Sequence, residues 1–290
     1  MAVTPFADRL VEAVDNKRTQ LVVGLDPRPE LFPLEVGGDV ERFCGGIIDA
    51  VAPHAVAVKP QLAFFEALGV EGITALEKVS AYARSAGLLV ILDGKRGDIG
   101  STARAYAAAY LEPRVEGDQP LGDALTVNPY LGTDSVDPYL AACRRHGGGI
   151  FCVVKTSNPG GGEVQDLALS DGRPVWQHVA RLVGEWGADL VGERGLSSVG
   201  AVIGATHPRA VGEARRLLPR SLLLLPGVGA QGASPADVAR AFTSGPASAL
   251  VNVSRSVMYA YRQGGEVDWR AAAGAAAARV KSEVWAASGW

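Results

Sequence analysis

The chain has 290 residues, of which 48% are hydrophobic and 20% charged, and its formal net charge is −3. This length and composition predict one globular α/β domain spanning residues 1–290, and no apolar run approaches the roughly 20 residues of a membrane span. The small negative charge excludes a chain-wide attraction to nucleic acid, so any recognition of anions must be local.

The N-terminal segment and the cysteines indicate a cytoplasmic protein. The first 20 residues include acidic side chains and apolar residues at helical spacing, unlike the basic start and apolar block of a signal peptide. The three cysteines are odd in number and lack C-x-x-C spacing, which favours reduced thiols over disulfides or zinc ligands. The four histidines are not spaced as metal ligands, and we interpret all of them as structural, with His207, near a strand end, the one most open to another role. We therefore expect no metal site.

Eight short apolar runs alternate with longer segments of helical periodicity. The predicted strands span 20–25, 55–58, 88–92, 124–127, 149–154, 199–203, 222–225 and 249–253. The predicted helices between and after them span 43–51, 69–86, 102–111, 138–146, 175–186, 208–218, 235–243 and 270–287. Continuously apolar strands separated by helices indicate parallel pairing, so eight such units predict a single (β/α)8 TIM barrel. A doubly wound open sheet is the alternative.

A long loop after strand 5 interrupts this alternation of strands and helices. Residues 157–174 are rich in glycine and exceed the usual length of a loop between strand and helix. Such a segment is typical of a mobile lid over a site. Its length fits an insertion without function equally well.

Charged side chains follow the predicted strands where catalytic groups of such barrels lie. Strand one ends at Asp26 and strand two at Lys59, and the D-x-K-x-x-D array of Asp93, Lys95 and Asp98 follows strand three. The array places two carboxylates around one ammonium, and strand alternation directs its first two charges to one side. A salt-bridged turn is one interpretation. Charge at the edge of a core is costly unless it is paired or used, which favours a site of chemistry.

A glycine-rich loop follows strand seven. Residues 227–232 match G-x-G-x-x-G, but the next strand ends in Asn252 and Arg255 where a dinucleotide site needs an acidic residue. In barrels, the loops after strands seven and eight commonly bind phosphate. Gln231 and Arg255 supply side chains for that purpose, and Ser254 and Arg255 supply backbone N–H donors. After strand four, Asn128 predicts a rigid turn, with pocket lining as the alternative.

Four motifs together resemble the orotidine 5′-phosphate decarboxylase family. They are DGKRGDIGST at 93–102 after strand three, SNPG after strand five, PGVGAQ after strand seven and SRS after strand eight. The resemblance spans almost the whole chain and is greatest to the longer bacterial branch, which has DGKRGDIGSTA and TVNPYLG stretches. It implies a lyase that converts orotidine 5′-monophosphate to uridine 5′-monophosphate and CO2 without a cofactor, the last step of de novo pyrimidine nucleotide synthesis.

The resemblance also implies residue roles. Lys95 is implied as the proton donor, within a network that includes Lys59, Asp93 and Asp98. A homodimer with shared sites is implied, and the residues that reach into the partner's site are Asp98, Ile99 and Thr102. The implied substrate contacts are Asp26 with the ribose, Ser157 with the pyrimidine edge, Pro226 near the base, and Gln231 with Arg255 at the phosphate.

Two alternatives share parts of this pattern. Related sugar-phosphate decarboxylases and aldolases carry D-x-K-x-x-D on the same barrel and use magnesium, but they lack the continuation found here as Ile99 and Thr102. A non-catalytic barrel that binds a phosphate ligand is the other alternative, and the presence of all four charged network positions argues against it.

Overall fold

The computed structural model describes residues 3–229, 232–263 and 268–290. Within them, eight parallel strands pair in chain order, and β8 pairs with β1 to close a barrel. The strands are β1 Leu21–Leu25, β2 Ala57–Pro60, β3 Leu89–Arg96, β4 Ala124–Val127, β5 Gly149–Lys155, β6 Ser197–Ile203, β7 Ser221–Pro226 and β8 Ala249–Val253. The TIM barrel is confirmed, and the open sheet is not formed.

Helices surround the barrel. The α-helices are α1 Phe6–Lys17, α2 Val40–Val51, α3 Leu62–Glu66, α4 Gly69–Ser85, α5 Gly100–Leu111, α6 Thr133–His146, α7 Gly162–Gln165, α8 Val175–Trp186, α9 Pro208–Leu217, α10 Arg255–Met258 and α11 Trp269–Ser288. The 3₁₀ helices are Pro29–Leu31, Leu34–Val36, Pro129–Leu131, Pro159–Gly161, Pro235–Phe242 and Ala260–Arg262. In the described ranges, none of these helices is both long enough and apolar enough to cross a membrane.

One predicted α-helix has a different form. The segment predicted at 235–243 is a 3₁₀ helix, Pro235–Phe242, although the Asp237 carboxylate accepts hydrogen bonds from the backbone and side chain of Ser234 as expected of a helix start. At its far end, the carbonyls of Ala241 and Phe242 accept hydrogen bonds from side chains elsewhere in the fold. These side chains satisfy carbonyl groups that have no partner within the helix at its C-terminal end.

Two apolar clusters form the core. The larger lies between the strands and the surrounding helices, and the smaller joins inward-facing residues such as Ile91, Phe151 and Leu224 to Phe6 of α1. The rings of Phe6 and Phe151 meet edge to face with centroids 6.0 Å apart, and Phe6 also lies against Gly149, the first residue of β5. Helix α1 therefore closes the N-terminal end of the barrel, which leaves the opposite end for the site.

The long loop after β5 is tied back to that strand. The buried ammonium of Lys155 lies 2.7 Å from both carboxylate oxygens of Asp166. The Gln165 side chain accepts from the backbone N–H of Thr156 at 3.0 Å and donates to its hydroxyl at 2.8 Å. The segment 157–174 thus contains ordered helical turns packed at the mouth of the barrel, while its motion stays a prediction.

Candidate active site

A cavity of about 290 Å³ opens at the C-terminal ends of the strands. Eight predicted site residues line it: Asp26, Lys59, Asp93, Lys95, Ser157, Pro226, Ser254 and Arg255. These side chains come from the C-terminal ends of six different strands or from the residues that follow them, and the closed barrel brings those ends together. The sequence-predicted residues are therefore brought together, with the exceptions described below.

Asp93 connects two lysines at the base of this cavity. Its Oδ2 accepts a hydrogen bond from Lys59 Nζ at 2.6 Å, and its Oδ1 accepts one from Lys95 Nζ at 2.7 Å. The Lys59 and Asp93 side chains are buried, whereas that of Lys95 is 46% exposed. Within one chain the array is thus one carboxylate between two ammonium groups, which corrects the expectation of two carboxylates around one ammonium.

The ionisation of Asp93 follows from these neighbours. Burial by itself would raise the pKa of this carboxyl, but the charges and hydrogen bonds of Lys59 and Lys95 outweigh burial and hold the pKa well below its usual range. Asp93 is therefore a carboxylate at any physiological pH. It fixes the position of the more exposed ammonium, Lys95, which faces the cavity.

The backbone around Lys95 is unusual. Lys95 has a φ of +45°, in the left-handed region that residues with a Cβ rarely adopt. The nearby glycines Gly94 and Gly97 do not have a positive φ. Both are needed for space: a Cβ on Gly94 would lie 2.6 Å from Leu62 Cδ1, and one on Gly97 would lie 2.7 Å from the Asn128 carbonyl oxygen.

Thr126 is a site residue that sequence reasoning missed. It lies on β4, is buried, donates its hydroxyl to Asp93 Oδ1 at 2.8 Å and accepts the backbone N–H of Lys95 at 2.9 Å. The sequence offers only a threonine in an apolar strand, so its partners depend on the register between β3 and β4.

A second polar group forms where β1 meets β8. Asp26 accepts a hydrogen bond from the Ser254 hydroxyl at 2.5 Å, and its backbone carbonyl accepts one from Tyr259 at 2.9 Å. Gly24 is required beneath this pair, since a Cβ there would lie 2.8 Å from that of Ser254. Asn252, on β8 two residues before Ser254, is buried with its Oδ1 unpartnered within the described part of the chain.

The loop after β7 is built on glycine. Gly227, Gly229 and Gly232 have φ values of +111°, +79° and +94°, so the G-x-G-x-x-G spacing reflects backbone conformation. Arg255 is exposed at the cavity mouth, where α10 begins, and forms no ion pair with the described residues. Gln231, the other predicted phosphate ligand, lies outside the described residues.

The residues predicted to enter a partner's site do not line the cavity of their own chain. Asp98 Oδ1 accepts the backbone N–H of Ile99 at 2.8 Å, and Ile99 and Thr102 are exposed. Ile99 is 57% exposed, and Tyr130 and Leu131, which follow the neighbouring strand β4, are 80% and 50% exposed. Exposed apolar side chains therefore follow both β3 and β4 on this side of the chain.

The remaining polar candidates have structural contacts. Asn128 Oδ1 accepts the backbone N–H of Tyr130 at 3.1 Å, which agrees with the predicted turn. His207 Nε2 lies 3.2 Å from the Thr156 carbonyl oxygen and the residue precedes α9. Across residues 3–229, 232–263 and 268–290, no three His, Cys, Asp or Glu side chains are grouped so as to hold a metal ion.

Known proteins resemble this chain along almost its full length. The profile of the orotidine 5′-phosphate decarboxylase / HUMPS family matches residues 19–268. An orotidine 5′-phosphate decarboxylase of Rhodopirellula baltica is 44% identical over 298 residues, covering 96% of this chain and 98% of the relative. One of Deinococcus radiodurans is 49% identical over 255 residues, covering 88% and 89%.

A solved structure agrees in fold. Leishmania donovani OMP decarboxylase superposes with a TM-score of 0.78 at 32% identity, covering 99% of this chain and 100% of that chain. This chain thus combines a TIM barrel and a cavity around the Asp93 carboxylate with relatives that are named for one activity. The chain belongs to the orotidine 5′-phosphate decarboxylase / HUMPS family.

Proposed function

We propose that this protein decarboxylates orotidine 5′-monophosphate to uridine 5′-monophosphate and CO2, a step of pyrimidine biosynthesis. The observation that carries the proposal is the Lys59–Asp93–Lys95 array, with contacts of 2.6 and 2.7 Å, at the base of a cavity in a chain of this family. Such an array offers a fixed positive charge where a carbanion would develop. The reaction needs no cofactor as an electron sink.

The chemistry assigned to Lys95 balances without another reactant. The bond between C6 and the carboxylate breaks, CO2 leaves, and the electron pair stays on C6, where the Lys95 ammonium stabilises it. Lys95 Nζ then donates a proton to C6 to complete the product, and the amine regains a proton from water. Asp93 and Lys59 hold the ammonium in place during both events.

The substrate contacts follow the geometry of the cavity. We assign the ribose to Asp26, the pyrimidine edge to Ser157 and the space near the base to Pro226, all of which line the cavity. The phosphate is assigned to Arg255, with the backbone N–H groups of Ser254 and Arg255 and the side chain of Gln231. An exposed guanidinium can bind a phosphate through two parallel hydrogen bonds.

A homodimer with shared sites completes the proposal. Asp98, Ile99 and Thr102 lie outside their own chain's cavity, and the exposed apolar side chains of Ile99, Tyr130 and Leu131 are suited to burial against a second copy. In a two-fold dimer, the same surface of each subunit would carry an Asp98 carboxylate to the other's Lys95. A cytoplasmic location fits the three buried free thiols.

A spectrophotometric assay with orotidine 5′-monophosphate in the presence of a chelator tests the proposed function. We expect loss of the orotate absorbance at full rate in the chelator. Turnover that requires added Mg²⁺ would instead favour metal-dependent chemistry of related barrels, and binding without turnover would favour a non-catalytic ligand-binding protein.

A further inference from the structure

An irregularity between β3 and β4 lies directly under the proposed proton donor. Leu92 pairs with Leu125 and Arg96 pairs with Val127, so the three residues 93–95 of β3 face a single residue of β4, Thr126. Such a bulge disrupts the backbone ladder and leaves groups that need other partners.

The Thr126 side chain supplies those partners. Its hydroxyl accepts the Lys95 backbone N–H at 2.9 Å and donates to Asp93 Oδ1 at 2.8 Å. The same Asp93 oxygen accepts the Lys95 ammonium at 2.7 Å. One buried hydroxyl therefore joins the backbone that carries the ammonium to the carboxylate that orients it. Lys95 holds a left-handed conformation there, and such conformations persist only where the surroundings impose them.

We propose that Thr126 is a positioning residue that sets the placement of the Lys95 ammonium, an inference that rests on the proposed decarboxylation. Thr126 does not line the cavity, so it acts through Asp93 and Lys95 and not by touching substrate. A valine matches the shape of threonine but can neither donate nor accept, whereas a serine keeps both hydrogen bonds.

The test compares kcat and KM of Thr126→Val and Thr126→Ser. We expect Thr126→Val to lower kcat by about 10- to 100-fold, the effect of losing a hydrogen bond to a charged group, with KM within about 3-fold of wild type. Thr126→Ser is expected to stay within about 3-fold of wild type in both constants. Thr126→Ala, which also lacks the hydroxyl but leaves a small void, must show the same loss of kcat, so the test survives a folding failure of the valine variant.

Thr19 offers a matched control at the opposite end of the barrel. It is fully buried, donates its hydroxyl to the His54 carbonyl at 2.9 Å and accepts the Leu21 backbone N–H at 3.1 Å. Thr19→Val therefore removes the same kind of hydroxyl with the same number of hydrogen bonds. We expect it to lower the melting temperature while leaving kcat unchanged.

Three results would overturn the inference. They are a hydroxyl-free Thr126 variant with wild-type kcat, a serine variant as impaired as the valine variant, and an effect confined to KM. Each of these presupposes an active wild-type enzyme. A wild-type protein that does not decarboxylate orotidine 5′-monophosphate would instead refute the proposed function, so the two failures are distinguishable.

Discussion

Lys59 and Lys95 differ in exposure although both ammonium groups contact the same carboxylate. The Lys59 side chain is 7% exposed and that of Lys95 is 46% exposed, so Lys95 is the more accessible of the two to a substrate atom. We predict that Lys95→Ala lowers kcat at least about 1,000-fold, because it removes both the stabilising charge and the proton donor. Circular dichroism and thermal melting would show whether the fold is retained, and substantial turnover by a folded variant would contradict the assignment.

Asp93 predicts a dependence of stability on pH. Its folded-state pKa lies below the unfolded value of about 3.9, so its stabilising contribution is complete above that pH and is lost as the pH falls through the folded-state pKa. Asp93→Asn leaves two neighbouring ammonium groups without a carboxylate and should cost about 3 kcal/mol of unfolding free energy at pH 7. Urea unfolding should show this difference shrinking below about pH 4. A difference that stays constant from pH 7 to pH 3 would argue against Asp93 as the linked group.

At the scale of elements, the loops after β7 and β8 form the end of the cavity assigned to the phosphate. Arg255→Ala should weaken binding of uridine 5′-monophosphate by about 100-fold and binding of uridine very little, because only the nucleotide loses a charge-assisted contact. Isothermal titration calorimetry with both ligands measures the two effects. Arg220→Ala removes the same charge from an exposed residue next to the start of β7, at the opposite end of the barrel, and should affect neither ligand. Equal losses for nucleotide and nucleoside in Arg255→Ala would reject the assignment.

Most helices and strands were predictable because the pattern of hydrophobic residues along the chain indicates which residues are buried. The strand predicted at 124–127 is β4, and the helix predicted at 175–186 is α8, because runs of buried residues and helical periodicity are local properties. Strand β3 runs four residues further than predicted, through the charged residues 93–96. Its extension depends on pairing with β4, which composition does not reveal.

The site was predictable at the level of residue types but not of geometry. Strand ends identified Asp26, Lys59 and Asp93, because parallel barrels bring those ends together. The left-handed Lys95 and the role of Thr126 both depend on three residues facing one across the β3–β4 bulge. Such a register is set by the whole barrel, so no local pattern around Thr126 could have indicated it.

At the scale of the whole molecule, Asp98 lies outside the cavity of its own chain, although its charge is proposed to act in such a cavity. The Asp93–Lys95 contact of 2.7 Å, by contrast, is made within one chain. This difference gives a way to decide which groups cross between subunits. Two inactive variants can complement each other only if the residues that they lack belong to the same site but to different chains.

We predict that mixing Lys95→Ala with Asp98→Ala restores activity. Each homodimer should be inactive, since every site lacks one group. In a mixed dimer, one site collects both substitutions and the other takes Lys95 from one chain and Asp98 from its partner. With random exchange about half of the dimers are mixed, so roughly a quarter of all sites should recover in a two-fold dimer. The measurement is decarboxylation rate after reversible dissociation and reassociation.

Mixing Lys95→Ala with Asp93→Asn provides the matched control. Because Asp93 and Lys95 act within one chain, each site of that mixed dimer lacks one of the two groups, and no activity should return. Subunit exchange is verified in both mixtures with differently tagged chains. If exchange occurs and the Lys95→Ala and Asp98→Ala mixture stays at parental activity, Asp98 serves its own chain and the shared site is wrong. Activity that returns in the Lys95→Ala and Asp98→Ala mixture, but not in the control mixture, requires Asp98 to reach across the interface. No other arrangement of these substitutions leaves an intact site.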